Sequence, residues 1–145
     1  MSINYDRLFK RLVNACERLG WSVVLDDIDS EACFLEKKIT ISKSKAPSIR
    51  FHMLMHELGH VLIEELPTSI DVKRPNSGMH KTTTSIHKTL VLSDECAAWD
   101  RGYYHATSVL RLKFDKRLFE MSRAKYIKTY ASWLLRTKKQ ILDNA

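Results

Sequence analysis

Residues His56, Glu57, Leu58, Gly59 and His60 form an H-E-x-x-H string. Positions four apart share one face of an α-helix, so both imidazoles can turn toward a single ion. Zinc takes neutral imidazole nitrogen at about 2.0 Å, and a catalytic site adds a third protein ligand and leaves the fourth position to water. Glu57 sits one residue after the first histidine, roughly 100° round the helix. From there its carboxylate reaches a water rather than the ion. That is the place of a general base, which takes a proton from water and later passes it to a leaving amine. The flanking residues argue for a buried helix: Phe51, Leu54, Met55, Leu58, Val61, Leu62 and Ile63 make it apolar on most sides. Histidine and glutamate are costly to bury there unless paired or liganded.

The third ligand must come from elsewhere. His80, His87, Glu95 and His105 are the downstream candidates, and Glu95 is the strongest. Ser93 reads as an N-cap with Asp94 and Glu95 in the first turn of a helix running to about residue 106. Ala97 and Ala98 are small enough to let that helix approach closely. His80 and His87 fall in the polar segment 65–88, expected to be an extended loop that either borders a substrate groove or is plain surface. Gly59 costs helix propensity in mid-helix, which implies a close neighbour such as the Glu95 helix. His52, one turn before His56, is expected to line the cleft or bond a supporting carboxylate, or else to sit at the solvent end of the helix. Asp100 is the candidate acceptor for the far nitrogen of a ligand histidine. Tyr103, His105 and His52 are the donors considered for a developing oxyanion, although helical rise puts the first two about 12–15 Å along the axis from Glu95.

The elements that would position these groups predict an α+β domain spanning 1–145. Leu8, Leu12, Ala15 and Leu19 give an N-terminal helix stopped by Gly20. Short strands are expected at 21–25, 32–35 and 39–41, the last two joined by a hairpin turn at 36–38. The H-E-x-x-H helix should cover 48–65, capped by Ser44 or Ser48. A long basic helix should cover 116–142, with Leu118, Met121, Tyr126, Tyr130 and Trp133 on its face.

His56-Glu57-Leu58-Gly59-His60 followed by Glu95-Cys96-Ala97-Ala98-Trp99 resembles the ImmA/IrrE-like zinc metallopeptidases. In that family a second helix supplies the glutamate ligand within a Glu-Ala-Asn-x-Phe-Ala pattern. Only Glu95 keeps the pattern's residue, and Arg50-Phe51 stands one residue earlier than the family's usual arginine-phenylalanine pair. The resemblance covers roughly residues 39–106. It implies a small zincin core with Zn2+ on His56, His60 and Glu95, Glu57 as catalytic base, and a protein or peptide substrate, a repressor-type regulator among them. It also implies a sheet edge near Ile39 to Ser42 that pairs with an extended peptide. Phage or mobile-element carriage and a cytoplasmic location are part of the same expectation.

Composition sets the remaining bounds. The 145 residues allow one domain with a real core. No run approaches the roughly 18–20 apolar residues of a membrane span, and the first residues lack a secretory layout. Three scattered cysteines, with no C-x-x-C pair, point to a reducing compartment. Charge is uneven: residues 1–100 carry 13 basic and 14 acidic side chains, whereas 101–145 carry 11 and 3. That basic segment is either a solvated face or a contact for an acidic protein or nucleic acid. Beside the peptidase reading stand a catalytically silent zinc-bearing regulator or adaptor and a nucleic-acid-associated protein.

Overall fold

The computed structural model describes residues 2–66 and 85–136. Asn4 caps the first helix, α1 (Tyr5–Arg18), its side chain accepting the Arg7 N–H at 3.0 Å. Leu12, Ala15 and Cys16 turn inward. Gly20 ends the helix as its spacing predicts: it adopts φ +84°, and the next N–H, of Trp21, returns to the Cys16 carbonyl at 3.0 Å.

Three strands follow, β1 (Ser22–Asp26), β2 (Glu31–Cys33) and β3 (Lys38–Ser42). β2 and β3 form the expected antiparallel hairpin, with Lys37 at φ 50° in its turn. β1 pairs in parallel with the other side of β3, Val23 opposite Ile39 and Leu25 opposite Ile41, giving the order β1-β3-β2. This overturns the expectation of a peptide-accepting edge at Ile39 to Ser42. β3 is hydrogen-bonded on both sides, and Ile39, Thr40, Ile41 and Ser42 are all buried. The edges are β1 and β2.

Pro47 opens α2 (Pro47–Glu65), with its ring already at a helical φ. Ala46 occupies the cap position without a side-chain bond; neither Ser44 nor Ser48 caps, and the Ser44 hydroxyl lies 3.1 Å from that of Ser42. From Phe51 to Ile63 every residue but Met53 is buried. Opposite it runs α3 (Ser85–Tyr104), which begins well before the expected start at Ser93. Ser93 is therefore an exposed interior residue, and Glu95 lies in the third turn. The reason is a buried stripe that extends upstream at helical spacing: Lys88, Val91, Glu95, Ala98 and Trp99. Of the expected loop 65–88, the four residues from Ser85 on are helical, and 67–84 lie outside the described residues, His80 among them. α3 passes into a π-helical turn (His105–Val109), marked by the Leu110 N–H to His105 carbonyl bond at 2.9 Å.

The last helix, α4 (Lys116–Leu134), is capped by Asp115, which accepts the Leu118 N–H at 3.1 Å. It ends at Leu134 rather than 142, where the buried Lys88 ammonium donates to the carbonyls of Trp133 and Arg136 at 3.4 and 3.1 Å. Residues 137–145 lie outside the described residues. Its inner face also differs from expectation. Phe119 and Trp133 are buried and Tyr126 is partly so, whereas Leu118 and Met121 are exposed.

The crossing of α2 and α3 fixes the fold. A Cβ on Gly59 would collide with the Ala98 carbonyl, and a Cβ on Gly102 with that of Met55. The two helices therefore run antiparallel with their backbones touching at two points one turn apart. His52 is buried in the core that surrounds this crossing. Its ring packs on Tyr5, Phe51 and Phe119, and its Nδ1 lies 2.7 Å from the Ser122 hydroxyl. It lines no cleft, meets no carboxylate and is not at the solvent end. Burial pushes its pKa down to about 4, slightly opposed by Asp115.

Two outcomes follow. Alanine at an ordinary mid-helix glycine stabilises by about 1 kcal/mol. Here Gly59→Ala and Gly102→Ala should each destabilise by about 1–3 kcal/mol, because the added methyl meets backbone that cannot yield; urea unfolding gives the sign. For His52, the unfolded chain binds the extra proton below about pH 6.5 and the folded chain only near pH 4. Its contribution is thus fully present above pH 6.5 and is lost as the pH falls toward 4. Comparing His52→Phe with the wild-type chain over that window should reduce the slope of stability on pH by about 1.4 kcal/mol per unit.

Candidate metal centre

α2 presents His56 and His60 toward α3 at the level where the two helices touch. His56 Nε2 lies 2.8 Å from Glu95 Oε2, His60 Nε2 lies 3.2 Å from the same oxygen, and the two Nε2 atoms are 3.1 Å apart. The three residues are buried, the most exposed at 8 %. Two ligands held at about 2.0–2.1 Å in tetrahedral geometry are separated by about 3.3 Å, so the triangle has the size that one ion requires. Two imidazoles and a carboxylate are also the chemically appropriate donors. Two overlapping groups here, His56, Glu57 and His60, and His60, Asp94 and Glu95, bring ligand atoms within 4.8 Å of one another and could in principle hold a metal ion.

The rings are held rigidly. His56 stacks on Trp99 at 4.6 Å between centroids and 10° between planes, and meets the edge of Tyr126 at 4.8 Å. Burial raises the Glu95 pKa, but the hydrogen bonds from His56 and His60 outweigh it and hold the carboxyl well below the usual range. Glu57 is buried too, with Oε1 3.6 Å from His56 Nδ1. It stands beside the triangle rather than at its apex.

The supporting residues differ from those expected. Asp100 points away from the site and pairs with Arg123 at 2.7 Å. It is Asp94 whose Oδ2 lies 3.6 Å from His60 Nδ1, in the position of a carboxylate that orients a ligand histidine. Helical phase explains the exchange: Asp94 is one residue from Glu95, whereas Asp100 is five residues on, about 140° further round. Tyr103 is a packing residue, stacked on Phe119 at 4.9 Å. His105 sits in the π-helical turn, where burial, Arg101 and Arg18 lower its pKa. His87 is on α3 two turns before Glu95, outside the triangle.

Two groups at the site were not singled out from sequence. Tyr126 and Tyr130 descend from α4, with hydroxyls 3.5 Å apart. Burial and then the charge of Glu95 raise both phenols above their ordinary pKa. Both are therefore protonated donors at neutral pH. Their i, i+4 spacing with Trp133 was legible as an apolar face, but nothing local tied that face to the histidines.

Comparison of the chain with protein-family models, with curated proteins and with solved structures gave no match.

If the triangle is the metal site, Glu95→Ala should weaken Zn2+ binding by more than the roughly 10–100-fold that loss of a supporting partner costs. Asp94→Asn should fall within that smaller range, and Asp100→Asn should leave affinity unchanged. Competition with a chromogenic chelator measures all three.

Proposed function

We propose that the protein is a zinc-dependent endopeptidase acting on a protein substrate, as its resemblance to the ImmA/IrrE-like metallopeptidases implies. The observation that carries this reading is the convergence of His56, His60 and Glu95 within 3.2 Å of one another, with the carboxylate of Glu57 alongside. Structural zinc sites are closed by four protein ligands, whereas His56, His60 and Glu95 are the three that meet here. When bound, zinc would supply Lewis acidity, polarising the scissile carbonyl and making water a better nucleophile.

The chain's own groups complete the chemistry. Glu57 takes a proton from the attacking water as the new C–O bond forms. It then delivers that proton to the amide nitrogen as the C–N bond breaks, leaving an acid and an amine. The developing oxyanion calls for a donor from the protein. Tyr130 is the candidate, a phenol close enough to Glu95 to feel its charge. Tyr126 backs it at 3.5 Å. Trp99, Tyr126 and Phe119 pack around one another on this side, keep water away and strengthen the electrostatics of the site. A substrate main chain that pairs with the sheet must use β1 or β2, because β3 has no free side.

Glu57→Gln should bind zinc normally yet lose about 10²–10⁴ in kcat on a cleavable protein such as casein. Full cleavage by that variant defeats the catalytic assignment. Tyr130→Phe should lower kcat by about 10²–10³ with KM little changed. Zinc content equal to wild type separates this effect from a disturbed Glu95.

A further inference from the structure

The basic character of residues 101–145 has a partner elsewhere in the fold. Arg7, Arg11, Asn14 and Arg18 stand at i, i+4, i+7 and i+11 on α1, all exposed. They form a stripe within an arc of about 60° and roughly 16 Å long. Asp6 and Glu17 lie about 80–100° away from Arg7 round the helix. The stripe borders the segment after α3. Arg11 Nη2 donates to the Leu110 carbonyl at 3.4 Å, and the Asp115 N–H donates to the Tyr5 hydroxyl at 3.4 Å. Arg18 and Arg101 both lower the pKa of His105, and Arg101 Nη2 donates to the Leu66 carbonyl at 2.7 Å.

That segment adds Arg101, Arg111 and Lys113, and from Arg101 to Phe114 the chain contains no acidic residue. Arg111 is held at a left-handed turn, φ 55°, by the bonds from the Leu110 N–H to His105 and from the Leu112 N–H to Ala106, each 2.9 Å. Tyr104, one turn after Arg101, is 60 % exposed. The seam is thus rich in arginine, free of carboxylate along one wall, and furnished with an accessible aromatic ring. Guanidinium is weakly hydrated, and its planar fork matches phosphate oxygens. A positive track with an aromatic platform is the usual means of holding unpaired bases.

We propose that the seam between α1 and residues 101–113 binds single-stranded nucleic acid, with phosphates on the arginines and a base on Tyr104. A single strand presents one charge per nucleotide in a row, which guanidiniums spaced roughly 6 and 10 Å apart along a helix can follow. An acidic protein patch has no such repeat. On α4, Arg123 is paired with Asp100.

The test uses the zinc-loaded full chain and a fluorescein-labelled oligo-dT of about 20 nucleotides, read by anisotropy at 50 and 200 mM salt. Binding is expected at the lower salt and should weaken steeply at the higher. Arg7→Glu/Arg11→Glu/Arg111→Glu should weaken it at least about 30-fold and reduce the log–log salt slope by about 2. Tyr104→Ala, which removes no charge, should weaken it about 5- to 100-fold. A charge-matched control, Lys45→Glu/Lys125→Glu/Lys128→Glu, should stay within about threefold of wild type. Four results overturn the proposal: no binding at 50 mM salt, a control as weak as the seam variant, poly-glutamate binding as tightly as oligo-dT, or a duplex of equal length binding more tightly. None of these readouts involves peptide hydrolysis, so they stand apart from the peptidase reading.

Discussion

Two glycines set the distance on which everything else in this fold depends. Gly59 lies against the Ala98 carbonyl and Gly102 against that of Met55, so α2 and α3 touch backbone to backbone at two levels. Helices with ordinary side chains at the contact pack about 8–10 Å apart. A histidine and a glutamate on facing helices meet only if their side chains cover the gap together, and Glu95 meets His56 and His60 at 2.8 and 3.2 Å from a closer backbone. The penalty of two glycines in helix interiors, about 1 kcal/mol each, is offset by the packing and polar contacts that this closeness allows. The same contact settles rotation. With Gly59 and Ala98 in register, His56 and His60 on one side and Glu95 on the other have no freedom to drift out of phase.

Burying two imidazoles and a carboxylate is unfavourable unless each finds partners. Here they find one another, and the surrounding aromatic groups keep the cluster dry. α4 closes this wall, and it is anchored at both ends: Phe119 enters the core at one, and Lys88 clamps the carbonyls at the other. Lys88 is itself buried, over the Trp133 ring at 5.4 Å. Between those anchors Tyr126 and Tyr130 are set with little freedom. A helix that lies outside the family resemblance thus brings two phenols to this wall of the cluster.

Much of this was legible in the sequence, and the failures have identifiable causes. The α+β class, the Gly20 stop, the β2–β3 hairpin, the bounds of α2 to within a residue and the close neighbour of Gly59 all follow from local chemistry. Such features need only a helix period, a positive φ or a missing Cβ. Ser93-Asp94-Glu95 has the local composition of a helix start, yet the buried stripe from Lys88 through Val91 to Glu95 overrides it. Strand order was invisible because Ile39-Thr40-Ile41-Ser42 is buried on both faces, and periodicity does not say which neighbours do the burying. Asp94 reaches His60 from one residue before Glu95, a phase that any helix through both residues shares, but only the packing of α3 on α2 shows which histidine it meets. Tyr126 and Tyr130 depend on tertiary packing of α4, which no local pattern encodes.

α3 links the two regions of the molecule that carry concentrated charge. Its middle turns bring Glu95 and Asp94 to the histidines, and its last turns bring Gly102 to Met55 and Arg101 to the Leu66 carbonyl at the end of α2. The π-helical turn that follows changes the phase of the chain. An α-helix continuing past Tyr104 would carry Leu110 and Leu112 onward along the same axis. The i to i−5 bonding instead lets Ala106 remain in the core, returns Leu112 to it and turns Arg111 outward beside the arginine stripe. The wide turn is therefore the device that lets one helix serve a buried cluster at its centre and an exposed cationic seam at its end. A straight continuation would separate Arg111 from α1, and the seam would lose its second wall.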